Sequence, residues 1–401
     1  MILLGSFLHR QELSDIIGRA VEDRVSEDDP RRLKLIVNLN SYLMRIWATS
    51  FAERLFSAVR GHEVRGTPAR TKGELKDLIV SSPWYPTPRI EELAGRYRRF
   101  PQDYYRETPY EGVAFTTGDP PRYVGSRRIK RIRRIAEKCG RRLIDYMFDQ
   151  IRQRADELAS DRARRLGIPK DRLITPPEEM VEEFRHAERR VLKSIREGML
   201  VAAMPQFYID DVVGLRVLVD PHVLPVVESW LAGCDDLSVV DEKRFSGRFT
   251  GRNMVVAYRL PREELLAQMP ADAACNVLIG RGVAADRPAL MDAYREFVGG
   301  GEGHVRFEIL LIDYESLVES EIGLSMHEQH VLEQREMQEY RGRLAQNVEA
   351  LMIFLFAYAL SARTRIGPMP IKLGGSYLPD YLDSVLRSLY PTGPGSLGLT
   401  M

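Results

Sequence analysis

VRFEILLIDYESLVESEIGLSMHEQH, residues 305–330, decides the expected fold of this chain. Its first eight residues form a short apolar run rich in branched side chains, which predicts a buried strand. Glu308 interrupts that run, and in the alternation of a strand it faces the side opposite Phe307 and Ile309. An ionised carboxylate there is costly unless it is paired, solvated at a sheet edge or bound to a metal. The stretch therefore predicts a strand that carries a candidate functional carboxylate.

Further strands are predicted on the N-terminal side of this stretch. Residues 212–219 and 253–260 are short, valine-rich apolar runs, and 237–241 is a weaker candidate. Segments with helical periodicity lie between them. Strands that alternate with helices favour a mixed sheet covered by helices, so we expect an α+β fold: a mixed β-sheet flanked by helices.

Composition shifts divide the chain into three expected regions. Residues 1–170 are predicted to be mostly helical, with a Pro- and Tyr-rich loop segment at 81–125 and a helix that begins at Ser126. A proline-rich stretch at 168–180 marks a boundary, and residues 178–340 are expected to hold the sheet. Residues 341–401 are expected to form a long C-terminal helix and a tail.

Bulk composition excludes several classes of protein. The net charge is +1 over 401 residues, so overall charge predicts neither a nucleic-acid nor a membrane partner. The three cysteines form no CxxC pair, which argues against a zinc site and fits a reducing cytoplasm. The most apolar run, 350–362, is shorter than a membrane span and predicts a buried helix. We expect a cytoplasmic protein without a membrane partner; the sequence indicates no oligomeric state.

A pair of carboxylates directly precedes another predicted strand. Asp210 and Asp211 stand just before the run at 212–219. If that strand neighbours the strand of Glu308, Asp211 and Glu308 meet near one edge of the sheet. Two carboxylates are what magnesium takes when nucleotide phosphates supply its other ligands. A carboxylate beside such a metal also acts as a general base toward a hydroxyl. The alternative is a turn residue and a solvated or lysine-paired glutamate.

Three blocks of the sequence resemble the RelA/SpoT-type (p)ppGpp synthetases, over roughly residues 180–335. The family's last block, approximately E-I-Q-I-R-T-x-x-M-H-x-x-A-E-x-G-x-A-A-H-W, is matched without a gap by Glu308–Ile309, Glu321, Gly323 and His327. The family motif D-[LIV]-x-[GA]-[LIV]-R is matched by residues 211–216. Ser194–Ile195 and Met199 fall on the phosphate segment R-x-K-x-x-x-S-I-x-x-K-M.

The resemblance implies magnesium-dependent transfer of pyrophosphate or a nucleotidyl group from ATP to a hydroxyl of GDP, GTP, another nucleotide or RNA. It assigns the metal to Asp211 and Glu308, and acceptor activation to Glu308. The expected phosphate- and nucleotide-binding residues are Arg190, Lys193, Ser194, Arg216 and Arg248, with Glu321 and His327 in support. Two positions that are basic in the family's phosphate segment are Glu188 and Gly198 here, and Arg248 stands where the family has a stacking tyrosine. The chain is therefore either a divergent transferase or a catalytically silent nucleotide-binding regulator.

Residues 126–142 suggest a third function. The expected helix SRRIKRIRRIAEKCGRR carries arginines on both sides of an isoleucine seam. Such a surface binds RNA, a ribosome or an acidic partner. Internal pairing with the acidic segment EEMVEEF is the alternative.

Overall fold

The computed structural model describes residues 1–61, 64–246, 250–323, 342–362 and 377–389. Its strands are β1 (Ile2–Leu4), β2 (Arg65–Thr71), β3 (Pro109–Thr117), β4 (Arg122–Ile129), β5 (Phe207–Ile209), β6 (Val213–Leu218), β7 (Leu237–Phe245), β8 (Gly251–Arg259) and β9 (His304–Ile312). The helices of the first half are α1 (Arg10–Val21), α2 (Asp29–Arg60), α3 (Lys72–Ser81), α4 (Pro88–Arg99), α5 (Ile132–Leu166) and α6 (Pro177–Arg196). Those that follow are α7 (Met199–Ala202), α8 (Val223–Ala232), α9 (Arg262–Ala267), α10 (Asp272–Gly280), α11 (Arg287–Gly300), α12 (Tyr314–Val318), α13 (Arg343–Leu360) and α14 (Pro379–Leu389).

Seven of the described strands form one mixed sheet. Their order is β2-β3-β4-β6-β9-β8-β7, and β6 and β9 are parallel while all other neighbours are antiparallel. Helices cover the sheet, so the expected α+β class with a mixed, helix-flanked sheet is confirmed. In the centre, Gly214 of β6 and Val255 of β8 are the register partners of Glu308 on β9.

One face of the sheet carries the main hydrophobic core. Phe51 of α2 packs its ring against the rings of Trp230, Tyr258 and Phe307, with centroids 5.0–5.7 Å apart. Val305, Phe307, Ile309 and Leu311 alternate into this core along β9. Alternation places Arg306 and Glu308 on the opposite face.

The opposite face is covered by a smaller core at one end only. Side chains of α3, α4 and α12 pack there against Tyr123, Leu218 and Ile312. Towards the beginning of β6, that face carries half-buried side chains, namely Arg128, Val255, Arg306 and Glu308. We call this half-buried part the open face.

A layer of helices lies beyond α2. The 35-residue helix α5 packs against α6 and α13, and α13 also packs against α2. By length and composition α13 passes as a membrane span, but 72% of its apolar window is buried inside the protein. A core helix of a soluble protein has this property, in agreement with the buried helix expected at 350–362.

Two expectations for the first 170 residues were wrong. The loop segment predicted at 81–125 contains β3 and most of β4, and residues 126–129 end β4 where a helix was expected. The helix begins only at Ile132. Because β2, β3 and β4 pair into the same sheet as β6–β9, the expected boundary at 168–180 does not separate two sheets.

Candidate functional site

Glu308 lies in the middle of the open face. Its side chain is half-buried, and the amide of Asn253 donates a hydrogen bond to Oε1 at 3.4 Å. Within the parts of the chain that the structure describes, no cation forms an ion pair with it. A carboxylate in this position is suited to accept a proton or to bind a cation that arrives with a ligand.

A glycine separates Glu308 from Arg128 in the sheet. Arg128 of β4 is the register partner of Gly214, and Gly214 is the register partner of Glu308. A Cβ atom on Gly214 would lie 3.1 Å from Arg128 Nε, so the arginine side chain lies across the glycine. Arg128 makes no ion pair within the described residues. The open face thus presents one guanidinium and one carboxylate on either side of a position without a side chain.

Asp210 lies beside Glu308 and is held by an arginine. Arg306 Nη2 donates to Asp210 Oδ2 at 3.0 Å, and the Arg306 guanidinium lies over the ring of Tyr208 at 4.1 Å. Burial raises the pKa of the Asp210 carboxyl, Arg306 opposes that shift, and Glu308 adds to it. Its Oδ1 atom is buried and accepts no hydrogen bond from the described residues.

Asp211 is held between two lysines. The ammonium groups of Lys130 and Lys138 both contact Asp211 Oδ2, and Lys130 Nζ also donates to the backbone oxygen of Asp211 at 2.7 Å. Burial alone would raise the pKa of Asp211, but the two lysines outweigh it and hold the pKa below its usual range. In this arrangement the carboxylate is an anchor for two cations.

Two motif residues of the resemblance meet in a buried ion network. Arg216 Nη1 lies 2.7 Å from Glu321 Oε1, and Lys72 Nζ lies 3.0 Å from Glu321 Oε2. Only 1% of the Glu321 side chain is exposed. Although burial lowers the pKa of Arg216, the carboxylate of Glu321 outweighs that effect and raises it. Glu321 therefore supports the sheet through Arg216, and the guanidinium of Arg216 is engaged there.

The segment expected to bind phosphate lies on α6, which packs against α5. Arg190 and Lys193 are exposed on this helix, and Lys193 Nζ lies 3.7 Å from Glu197. The hydroxyl of Ser194 donates to the backbone oxygen of Arg190 at 3.1 Å. No described contact joins these three residues to Glu308. The expected residues Arg248 and His327 lie outside the described residues.

The cations of residues 126–142 point to different partners. Arg127 is buried, and its Nη2 atom donates to the hydroxyl of Thr49 at 2.7 Å. Arg133 and Arg134 both contact Glu137. Lys130 and Lys138 contact Asp211. The segment is a strand end followed by a helix, so its charges do not form the single cationic helix that was expected.

Few side chains of the site are suited to bind magnesium. Within the described residues, no three His, Cys, Asp or Glu side chains form a group that holds a metal. Magnesium bound to nucleotide phosphates needs only one or two protein carboxylates. Glu308 fits that requirement because it is half-buried and no described cation neutralises it. The role of Asp211 as a second ligand stays a prediction, and in the structure two lysines engage its carboxylate.

Several residues of the open face were not identified from the sequence. They are Arg128, Lys130, Lys138, Asn253 and Arg306. Arg128 and Lys130 fall in a segment whose periodicity predicts a helix, so the sequence did not indicate that they lie beside β6. Arg306 and Asn253 carried a usable signal, since both are polar residues inside otherwise apolar strands.

Comparisons with protein-family models, with curated proteins and with solved structures found no match to this chain.

Proposed function

We propose that the open face binds the phosphates of a nucleotide, and that the chain transfers pyrophosphate or a nucleotidyl group from ATP to a hydroxyl of a nucleotide or RNA. The observation that carries this proposal is Glu308, a half-buried carboxylate without a described cationic partner, beside Gly214 and Arg128. Phosphoryl chemistry depends mainly on positioning and on neutralising charge, and the open face offers both charge types.

In pyrophosphate transfer, Glu308 accepts the proton of the acceptor hydroxyl. The hydroxyl oxygen forms a bond to the β-phosphorus of ATP, the bond from that phosphorus to the α,β-bridging oxygen breaks, and AMP leaves with the electron pair. A magnesium ion bound to the phosphates supplies further charge neutralisation. Asn253 orients the Glu308 carboxylate, and Arg128 lies on the other side of Gly214, where it balances negative charge.

The direct test measures release of AMP, the product of pyrophosphate transfer, and of pyrophosphate, the product of nucleotidyl transfer, by the purified full chain. The protein is incubated with magnesium, labelled ATP and a panel of acceptors: GDP, GTP, other nucleotides and tRNA. We expect one of these two products with one acceptor class, and a rate at least 100-fold lower in the Glu308→Gln variant, since removal of a general base typically costs 10²–10⁴-fold. Glu263→Gln, an exposed glutamate of α9, is the matched control. An unchanged rate in Glu308→Gln contradicts the assignment of Glu308.

One observation favours a second candidate, a catalytically silent nucleotide-binding regulator. Asp211, which the family would use for metal, is bound by Lys130 and Lys138. A regulator binds ATP or GTP and releases neither AMP nor pyrophosphate with any acceptor. Isothermal titration calorimetry on the same samples distinguishes the two functions, since a regulator shows nucleotide binding where the transfer assay shows no product.

A further inference from the structure

Two lysines converge on the carboxylate of Asp211. Both ammonium groups contact one carboxylate oxygen, and the guanidinium of Arg128 is near enough to act on Lys130 electrostatically. Burial and this neighbouring charge lower the pKa of Lys130 well below its ordinary value. Asp210 and Glu308 add negative charge nearby, so the feature that favours an anion is local: two ammonium groups converge on one carboxylate oxygen.

The backbone fixes the position of this cluster. The amide of Lys130 donates to the backbone oxygen of Val212 at 2.8 Å, which ties the end of β4 to the beginning of β6. Lys138 stands in the second turn of α5. Because Asp211 joins both lysines, it fixes the distance between an ammonium group on the sheet and one on the helix.

The cluster remains accessible. The Lys138 side chain is 33% exposed and that of Lys130 is 11% exposed. An ammonium group has three N–H donors. For Lys138, the described contacts use one acceptor, Asp211 Oδ2, which leaves donor capacity for a ligand at the surface.

We propose that Lys130 and Lys138, positioned by Asp211, bind the phosphate chain of a nucleoside triphosphate. This rests on the proposed function only in taking the phosphates to belong to a nucleotide. Asp211 is then a positioning residue and not a magnesium ligand. The lysines take over the role that the resemblance gives to Arg190, Lys193 and Ser194 on α6.

The test titrates inorganic tripolyphosphate and ATP into the full chain by isothermal titration calorimetry, with and without magnesium. The variants are Lys138→Met, Lys193→Met and Asp211→Asn. Lys170→Met is the matched control, because Lys170 is an exposed lysine paired with an aspartate, Asp156, away from the sheet. Melting followed by circular dichroism verifies that each variant is folded.

We expect Lys138→Met to weaken tripolyphosphate binding about tenfold or more, as loss of a charge-assisted hydrogen bond to an anion does. Lys170→Met stays within about twofold of the wild type, and Lys138→Arg regains part of the loss. Asp211→Asn weakens binding by a similar factor with and without magnesium, because it releases the lysines. If Asp211 were a metal ligand, its effect would appear only with magnesium.

Three results overturn the proposal: no binding of tripolyphosphate, equal affinities of Lys138→Met and Lys170→Met, or a loss in Lys193→Met without one in Lys138→Met. The outcome is separable from that of the transfer assay. Binding that depends on Lys138 without release of AMP or pyrophosphate refutes the transferase and leaves this proposal standing. Release of AMP or pyrophosphate that Lys138→Met does not change supports the transferase and refutes the role of Lys138 proposed here.

Discussion

Replacing Glu321 by glutamine should destabilise the protein by about 3 kcal/mol, near the lower end of the range for breaking a buried ion pair. The side chain is buried and its two oxygens contact Arg216 at 2.7 Å and Lys72 at 3.0 Å. Glutamine has nearly the same shape, so no cavity is created and packing stays unchanged. It keeps one acceptor oxygen and turns an NH2 group towards a cationic donor. The removed charge therefore dominates the expected loss.

The assay is urea unfolding at pH 7, followed by circular dichroism and compared through the free energy of unfolding. Glu92→Gln is the matched control, because Glu92 also pairs with two cations, Arg96 at 2.9 Å and Arg89 at 3.0 Å, but its side chain is 45% exposed. A surface pair contributes about 0–1 kcal/mol, so this variant should be nearly neutral. Adding Lys72→Met to Glu321→Gln should recover part of the loss, since it removes one of the two cations. If Glu321→Gln costs no more than Glu92→Gln, the network does not stabilise the sheet and the reasoning fails.

Three further perturbations follow from the same structure. Gly214→Ala should weaken nucleotide binding about threefold to tenfold with little change in stability, because its Cβ would lie 3.1 Å from Arg128 Nε, in the flexible part of that side chain. The control is Gly95→Ala in α4, where nothing lies within 4 Å of the added Cβ. Equal nucleotide affinities of the two variants would refute the prediction. Phe51→Ala should lower the free energy of unfolding in urea by about 3–5 kcal/mol, because three aromatic rings surround a side chain that is 1% exposed. A decrease below about 1 kcal/mol would show that this part of the core repacks. Burial, assisted by Arg281, lowers the pKa of Lys34 from 10.5 to about 8. Between these values the native state binds fewer protons than the unfolded chain, so the free energy of unfolding should rise from pH 8 to 10.5. The Lys34→Met variant should lack this rise, and equal pH profiles of the two proteins in urea unfolding would contradict the shift.

The strands of the second half were predictable because their signals are local. Residues 212–219, 253–260 and 305–312 are apolar, valine-rich runs, and each is a strand within a residue or two of the expected bounds. The exceptional residue within 305–312, Glu308, also lies on the side of the sheet opposite the main core, as alternation requires. A short-range pattern was sufficient for these elements since each strand is buried on at least one face.

The strands of the first half depended on distant partners. Ile129 fits the three-residue spacing of the helix that follows, yet it ends β4 by pairing with Val213, 84 positions away. Arg127 is buried because α2 offers it the hydroxyl of Thr49. Neither fact is visible in the sequence of 121–130, which contains arginines and a proline. The ion pair of Arg216 was likewise not predictable from local sequence, since its partner Glu321 is more than a hundred residues away.

The sheet order has a consequence for how the chain folds. Residues 2–4 pair with residues 207–209, and the backbone oxygen of Gly5 accepts from the amide of Arg306. Among the described strands, β2, β3 and β4 join the rest of the sheet through the pairing of β4 with β6, and β6 pairs on its other side with β9. Long loops must close before these contacts form, and loop closure slows folding. During synthesis, the sheet therefore stays incomplete until residue 312 has emerged, and the first strands wait with an exposed edge that favours chaperone binding or aggregation.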